Sequence, residues 1–461
     1  MILQRDLPIA VFGEGDGPVT LSLAGAQAQA MPENGRFLAW LPPLPAGGPF
    51  RLTVRCAGET LTISDVWIGE VWLCGGQSNM EFRLRDAATG PRDLAADRDP
   101  LLRWYEVPAA AHAAEAEEKE RFAAWRSIEP NHFGDLSAVA YYAAKELRAC
   151  LDVPVGLVVC CLGGTTASCW LSEEALNRTE AGCNALAAFH READPVTPER
   201  FAAETAAYER RVADYCRQSD ALKAEGCAPA EIIRRIGDFP WPPPAGPYML
   251  RRPAGPWENQ VCRILPLTVR GLFWYQGESD AGEARHYPAF FTQIIREWRQ
   301  AFRRDMPVVA AQLPRFGADP SGEDWAAIRE SQRKVCDTEP DCALCCLIDC
   351  GESGNLHPVD KETPGRRMGR LALMKVYGAG MDAESPRLIR AERTAAGLRL
   401  EFSAPLRAPA GHPEVIADGC SLLAPAADAF AYAWENDPEA WLFGAGGLPV
   451  FPFQVQKEEF A

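Results

Sequence analysis

Histidine is scarce in this chain, with 6 among 461 residues, so a general base has to be found on a short list. No run of about 18 apolar residues occurs, which excludes a membrane-spanning helix. The opening stretch MILQRDLPIAVFGEGDG lacks a basic segment followed by an apolar one, so no signal peptide is expected. The cytoplasm is the expected compartment, with a secreted form as the alternative. Positive charge is also in deficit: Lys+Arg 47 against Asp+Glu 63 leaves −16. A surface that acidic repels phosphate backbones and anionic lipid, so neither nucleic acid nor membrane is an expected partner. Internal repeats and low-complexity tracts are lacking as well. What is present, 47% hydrophobic and 24% charged residues, is the mixture of a globular protein. At about 150 residues per domain the length suggests about three domains.

The sixteen cysteines do not read as a disulfide scaffold. Cys74, Cys160, Cys161, Cys169, Cys345 and Cys346 lie within apolar runs, where a free thiol packs as a small hydrophobe. The cluster DCALCCLIDC has the density of a metal knuckle. However, its paired cysteines fall in a strand-like stretch, whose side chains alternate between faces.

Residues 1–65 read as a small β-sandwich-like domain. PIAVFGE, PVTLSLA, GRFLAWLPP, FRLTVRC and ETLTISDV are short strand-like runs divided by Gly, Pro, Asn or Asp. From 66 to 384 the texture alternates between strand and helix. VWIGEVWLCGG is an apolar run of the kind a doubly buried strand needs. SAVAYYAAKELR reads as a helix opened by a serine cap, and VPVGLVVCCLGG as another buried strand. LPLTVRGLFWYQG, YPAFFTQIIREWRQAF, MPVVAAQLPRF and ALCCLIDCG continue the rhythm to a closing helix, GRRMGRLALMKVYG. That order predicts an α/β fold with a parallel sheet wrapped by helices. A helical insertion interrupts it at about 175–250, ending in the rigid WPPPAGP. Residues 385–461 read as a small β-rich C-terminal domain.

Four predicted strand ends carry chemistry, and in open parallel sheets sites form outside the carboxyl ends of strands. The first is Gly75-Gly76-Gln77-Ser78-Asn79-Met80, where Ser78 reads equally as a nucleophile or a helix cap. Leu162-Gly163-Gly164-Thr165-Thr166 exposes backbone N–H groups, as an oxyanion hole requires, although a tight turn explains it as well. In Trp274-Tyr275-Gln276-Gly277-Glu278-Ser279-Asp280 the Gln276 amide is a candidate donor and Glu278 a candidate supporting acid. Leu356-His357-Pro358 follows the ALCCLIDCG strand, and no other histidine shares that placement. Together the set matches nucleophile, oxyanion donors and general base.

GQSNM, GGT, WYQGESD and HP-x-DK, in this order, resemble the SGNH-hydrolase superfamily, and more narrowly its sialate O-acetylesterase family of carbohydrate esterases. The resemblance covers nearly all of the catalytic segment, and ILQRD, LPPLPAGGPFRLTV and DVWIGEVW extend it into the N-terminal β-domain. It implies an SGNH-type three-layer α/β/α catalytic domain flanked by small β-rich domains. It also implies deacetylation of O-acetylated sugars, typically O-acetyl sialic acid, with no metal or organic cofactor. By the same resemblance Ser78 is the nucleophile and His357 the base, while the Ser78 N–H, Gly164 and Gln276 form the oxyanion hole.

One departure stands out: Gly354 occupies the position three before His357, where many SGNH enzymes have Asp, and Asn355 is not acidic either. Asp349, Glu352, Asp360 and Glu278 are the acids left to orient the imidazole; otherwise a Ser–His dyad operates. The motifs specify acetyl chemistry and leave the sugar open, so an esterase of xylan or another plant glycan is the second reading. A catalytically dead carbohydrate-binding homologue is the third. Trp170, Trp241, Trp257 and Trp274 are candidate sugar platforms, and Arg251 and Arg252 candidate counter-charges for an anionic sugar. The oligomeric state is not legible.

Overall fold

One 18-residue strand, Glu59–Gly76, organises the molecule. The computed structural model describes all residues except 228, 318–322, 408–410, 413–414 and 457–461. Up to Asp65 this strand is exposed or half-buried, whereas Ile68 to Gly76 are all buried. Its first half pairs antiparallel with Gly47–Cys56. Its second half lies between Val155–Cys161 and Gly271–Tyr275, parallel to both. The boundary expected between residues 65 and 66 therefore falls within a continuous strand, beside Asp65 with φ of 57°, and not in a linker.

The central sheet runs Cys342–Cys345, Val308–Ala311, Gly271–Tyr275, Glu59–Gly76, Val155–Cys161, Asp99–Glu106, Arg126–Ile128. Every neighbouring pair is parallel except the last. After Glu59–Gly76 the chain first builds the sheet to one side and later to the other, which makes the carboxyl end of this strand a topological switch point.

Helices cover both faces. Trp72 faces the closing helix Glu362–Tyr377, donating its indole N–H to the Tyr377 hydroxyl at 3.0 Å. Gly75, of opposite parity in the strand and so on the opposite face, lies against Trp298 of helix Tyr287–Ala301. Helix Ala138–Leu151 opens as expected, Ser137 Oγ accepting from Ala140 N at 3.1 Å. It packs on the closing helix, where a Cβ at Gly365 or Gly369 would come within 2.6 Å of its backbone carbonyls. The result is the three-layer α/β/α arrangement.

Several strands escape the sequence patterns, among them Asp99–Glu106 and Arg126–Ile128 of the central sheet. Ile2–Gln4 is too short to show a period, and it pairs parallel with Trp67–Gly69. Ala26–Ala30, sequence AQAQA, offers no large apolar residue to mark its half-buried face. The region after residue 175 is helical, with Glu180–Ala193, Pro198–Ala224 and Pro229–Ile236. Beyond residue 385 there is a four-stranded antiparallel sheet, and Ala429–Tyr432 pairs with Phe453–Gln456. The buried Arg329 fastens this region to helix Trp325–Thr338 by donating to the carbonyls of Glu435 and Asn436.

Candidate active site

Gly76 carries the chain across the carboxyl edge of the sheet with φ of 140°. A Cβ there would lie 2.0 Å from the Tyr275 carbonyl oxygen, so only glycine allows the neighbouring strand so close. Gln77 then donates its N–H to Tyr275 O at 3.0 Å, and a one-turn helix, Ser78–Glu81, begins. The cap position belongs to Gln77, and no side chain caps this helix. The capping role weighed for Ser78 is therefore not the one it has. Its Oγ lies 2.8 Å from His357 Nε2, across 279 residues of sequence.

The turn after Val155–Cys161 lies alongside. A Cβ on Gly163 would stand 3.3 Å from that of Ser78, and Gly163 N donates to Glu81 Oε2 at 2.6 Å. Gly164 follows with φ of 72°. The N–H groups of Ser78 and Gly164 have no hydrogen-bond acceptor among the described residues, which leaves them available to an oxyanion.

Gln276 is the main correction to the expected site. Its side chain is fully buried, and its amide nitrogen donates to Thr165 O at 3.1 Å and Asp280 Oδ2 at 2.5 Å. An amide has two hydrogens, and both are taken. Gln276 thus braces the glycine turn from beneath and offers no donor to the reacting carbonyl. Gln276→Ala should lower unfolding stability by about 1–3 kcal/mol, because Thr165 O and Asp280 lose a donor in a dry interior. Urea unfolding checks this; an unchanged midpoint would return Gln276 to the role of a solvent-facing donor.

None of the candidate acids reaches the imidazole. Asn355 Oδ1 accepts from the His357 backbone N–H at 3.0 Å, and its amide donates to Glu352 Oε2 at 3.0 Å. Glu352 Oε1 in turn accepts from Val359 N at 3.2 Å. These two residues shape the loop that carries His357. Asp349 is paired with Arg367 and Asp360 accepts from Thr363. Glu278 is buried and accepts from Asn79 Nδ2 at 2.6 Å. Among the described residues no carboxylate hydrogen-bonds the imidazole, so the arrangement is a Ser–His dyad.

Asn79 and Lys361 complete the site, although the sequence reading gave neither a role. Asn79 Nδ2 also donates to Leu356 O at 3.1 Å, and its Oδ1 accepts from the buried Lys361 Nζ at 2.5 Å. Both stand inside the motifs GQSNM and HPVDK, which was the available signal. Burial pushes the Lys361 ammonium down to about 8, against the pull of Glu278. Burial raises the Glu278 carboxyl, with Asn79 and Lys361 opposing. Burial, and then the Lys361 charge, push the His357 imidazole down to about 4. It therefore rests neutral, able to accept a proton.

Of the tryptophans singled out, Trp170 and Trp274 are core, packed edge-to-face with ring centroids 5.9 Å apart, and Trp257 is also buried. Trp241 is 54% exposed and lies against Gly164.

Residues 251–358 match the family described as "Carbohydrate esterase, sialic acid-specific acetylesterase". The sialate O-acetylesterase of Mus musculus is 26% identical over 425 residues, covering 82% of this chain and 72% of the relative. The human sialate O-acetylesterase is 23% identical over 420 residues, 82% of this chain and 69% of the relative. A crystal structure of a carbohydrate acetylesterase from Xanthomonas citri superposes with a TM-score of 0.72 at 26% identity, covering 99% of this chain and 97% of that one. This chain is thus similar to the sialate O-acetylesterases over most of its length, and to a carbohydrate acetylesterase of solved structure.

Proposed function

We propose that this chain is a carbohydrate O-acetylesterase, with O-acetylated sialic acid as its substrate, working through an acetyl-enzyme on Ser78. The observation that carries the reading is the 2.8 Å approach of Ser78 Oγ to a buried, neutral His357 Nε2 at the sheet's switch point. Kinship to sialate O-acetylesterases supports the choice of acyl group and sugar.

In the first half-reaction His357 Nε2 takes the Ser78 hydroxyl proton as Oγ bonds to the acetyl carbonyl carbon. The carbonyl oxygen becomes an oxyanion facing the N–H groups of Ser78 and Gly164. The C–O bond to the sugar then breaks, and the departing sugar oxygen receives the proton from His357. In the second half, water gives a proton to His357 and attacks the acetyl carbonyl, releasing acetate and returning the proton to Ser78. The Glu278–Asn79–Lys361 chain holds the His357 loop through Leu356 O, in place of the orienting acid.

A fluorophosphonate probe is expected to label wild-type protein at Ser78 and to leave Ser78→Ala unlabelled, with acetate release lost in parallel. Acetate measured across O-acetyl sialic acids and acetylated xylo-oligosaccharides identifies the sugar. Release from the xylo-oligosaccharides alone would replace the sialate reading with the plant-glycan one. No labelling and no acetate from any sugar would leave a binding protein.

A further inference from the structure

We propose that Trp241 and Arg251 form a subsite for a sugar acid beside the nucleophile, the indole stacking on the sugar ring and the guanidinium taking its carboxylate. The inference deepens the esterase reading and rests on it.

The placement comes from the insertion. After helix Pro229–Ile236 the chain returns as FPWPPPAGP, whose prolines restrict its conformations. Tyr208 of the long helix Pro198–Ala224 donates its hydroxyl to Pro240 O at 3.0 Å. A Cβ at Gly246 would overlap the Phe201 ring at 2.1 Å, so the end of the stretch is seated on that helix too. Trp241, between these two anchors, reaches the catalytic edge. Its outer ring edge would meet a Cβ on Gly164 at 2.4 Å, and Gly163 is the residue against Ser78. A large exposed aromatic thus stands at the oxyanion turn, whereas Trp170, Trp257 and Trp274 are buried.

Arg251 supplies the charge. Its Nε donates to Gly163 O at 2.5 Å, and the guanidinium carbon stands 5.8 Å from the Trp241 ring centroid. Its two terminal nitrogens have no acceptor, and the side chain no salt bridge, among the described residues. The neighbouring arginines differ: Arg252 is bound to Glu258 and Pro253 O, and Arg83 to Glu106. Glu81 lies within electrostatic reach of Arg251, but it accepts from Gly163 N and burial raises its carboxyl. A planar fork with two free amino groups suits a carboxylate, and the apolar face of a sugar ring suits an exposed indole. This local cation is how a chain of net charge −16 can receive an anionic sugar.

The test compares kcat/KM for O-acetylated N-acetylneuraminic acid, its carboxyl methyl ester and 4-nitrophenyl acetate. Taking each sugar value relative to 4-nitrophenyl acetate cancels any disturbance of the oxyanion turn. Trp241→Ala should lower both sugar ratios by about tenfold, mainly through KM. Arg251→Gln should lower the ratio for the free acid by about tenfold or more and erase the wild-type preference for acid over methyl ester. Unchanged ratios in Trp241→Ala, or an unchanged acid preference in Arg251→Gln, would overturn the subsite.

If wild-type protein releases no acetate from any sugar, the esterase reading fails, and the subsite is judged separately by binding. Saturation-transfer NMR with N-acetylneuraminic acid should then give a signal with Ser78→Ala that is lost when Trp241→Ala or Arg251→Gln is added. Equal signals in the three proteins, or none in Ser78→Ala alone, would overturn it.

Discussion

Replacing His357 with alanine is expected to lower kcat on an acetylated sugar by a factor on the order of 10⁶, as removal of the base does in serine hydrolases. No other titratable side chain hydrogen-bonds Ser78 Oγ among the described residues, so nothing else is in place to take its proton. The pH profile carries the more specific expectation. His357 must be neutral to act, and burial with the nearby Lys361 charge holds its imidazole down to about 4. The acid limb of kcat/KM should therefore lie near pH 4, well below the ordinary histidine value of 6.5. Lys361→Met removes the cation and should move that limb upward. An acid limb near pH 6.5 in the wild type would mean that His357 is paired with a carboxylate during turnover.

Glu70→Ala is expected to cost about 3–5 kcal/mol of folding stability. Glu70 is fully buried in the long central strand. Its carboxylate accepts from Arg5 Nε at 2.5 Å, Arg270 Nε at 2.8 Å, Gln4 Nε2 at 3.1 Å and the Tyr377 hydroxyl at 2.9 Å. The first strand, the entry to Gly271–Tyr275 and the closing helix thus meet on one side chain. Its removal leaves two largely buried guanidinium groups without their carboxylate.

Burial alone would raise the Glu70 carboxyl, but Arg270, Arg5 and Gln4 outweigh it and hold the group below its ordinary 4.5. A depressed folded-state pKa gives stability that is full above the unfolded value and is lost as pH falls through the folded one. The gap between wild type and Glu70→Ala, measured by urea unfolding, should therefore be widest near neutral pH and narrow below about pH 4.5. Equal stability at pH 7 would show that the cluster contributes nothing net.

The site was legible where its signal is local. An apolar run ending in Gly-Gly-Gln-Ser announces a buried strand that delivers a side chain to the sheet edge, and the runs before Gly163, Gln276 and His357 do the same. Gln276 was misread because its role depends on what two other segments present to it. Thr165 O and the Asp280 carboxylate are neighbours that no spacing rule reveals. Asn79 and Lys361 were passed over for a similar reason: they meet each other 282 residues apart. The four tryptophans are alike in composition, and burial alone separates Trp241 from the rest.

The sequence by itself determined the parallel α/β core, the strand ends that carry Ser78, Gly163-Gly164, Gln276 and His357, and the kinship those motifs express. Hydrophobic runs and glycine punctuation are short-range properties, so they survive without coordinates. Only the tertiary structure decided that the first β-strands continue into the catalytic sheet through Glu59–Gly76, and that among the described residues no acid hydrogen-bonds the His357 imidazole. It also decided that Gln276 is a brace and that Trp241 of the insertion and Arg251 just after it lie against the Gly163–Gly164 turn beside the nucleophile. Each of these depends on which side chains long-range packing leaves paired, buried or free, and that is set by contacts across hundreds of residues.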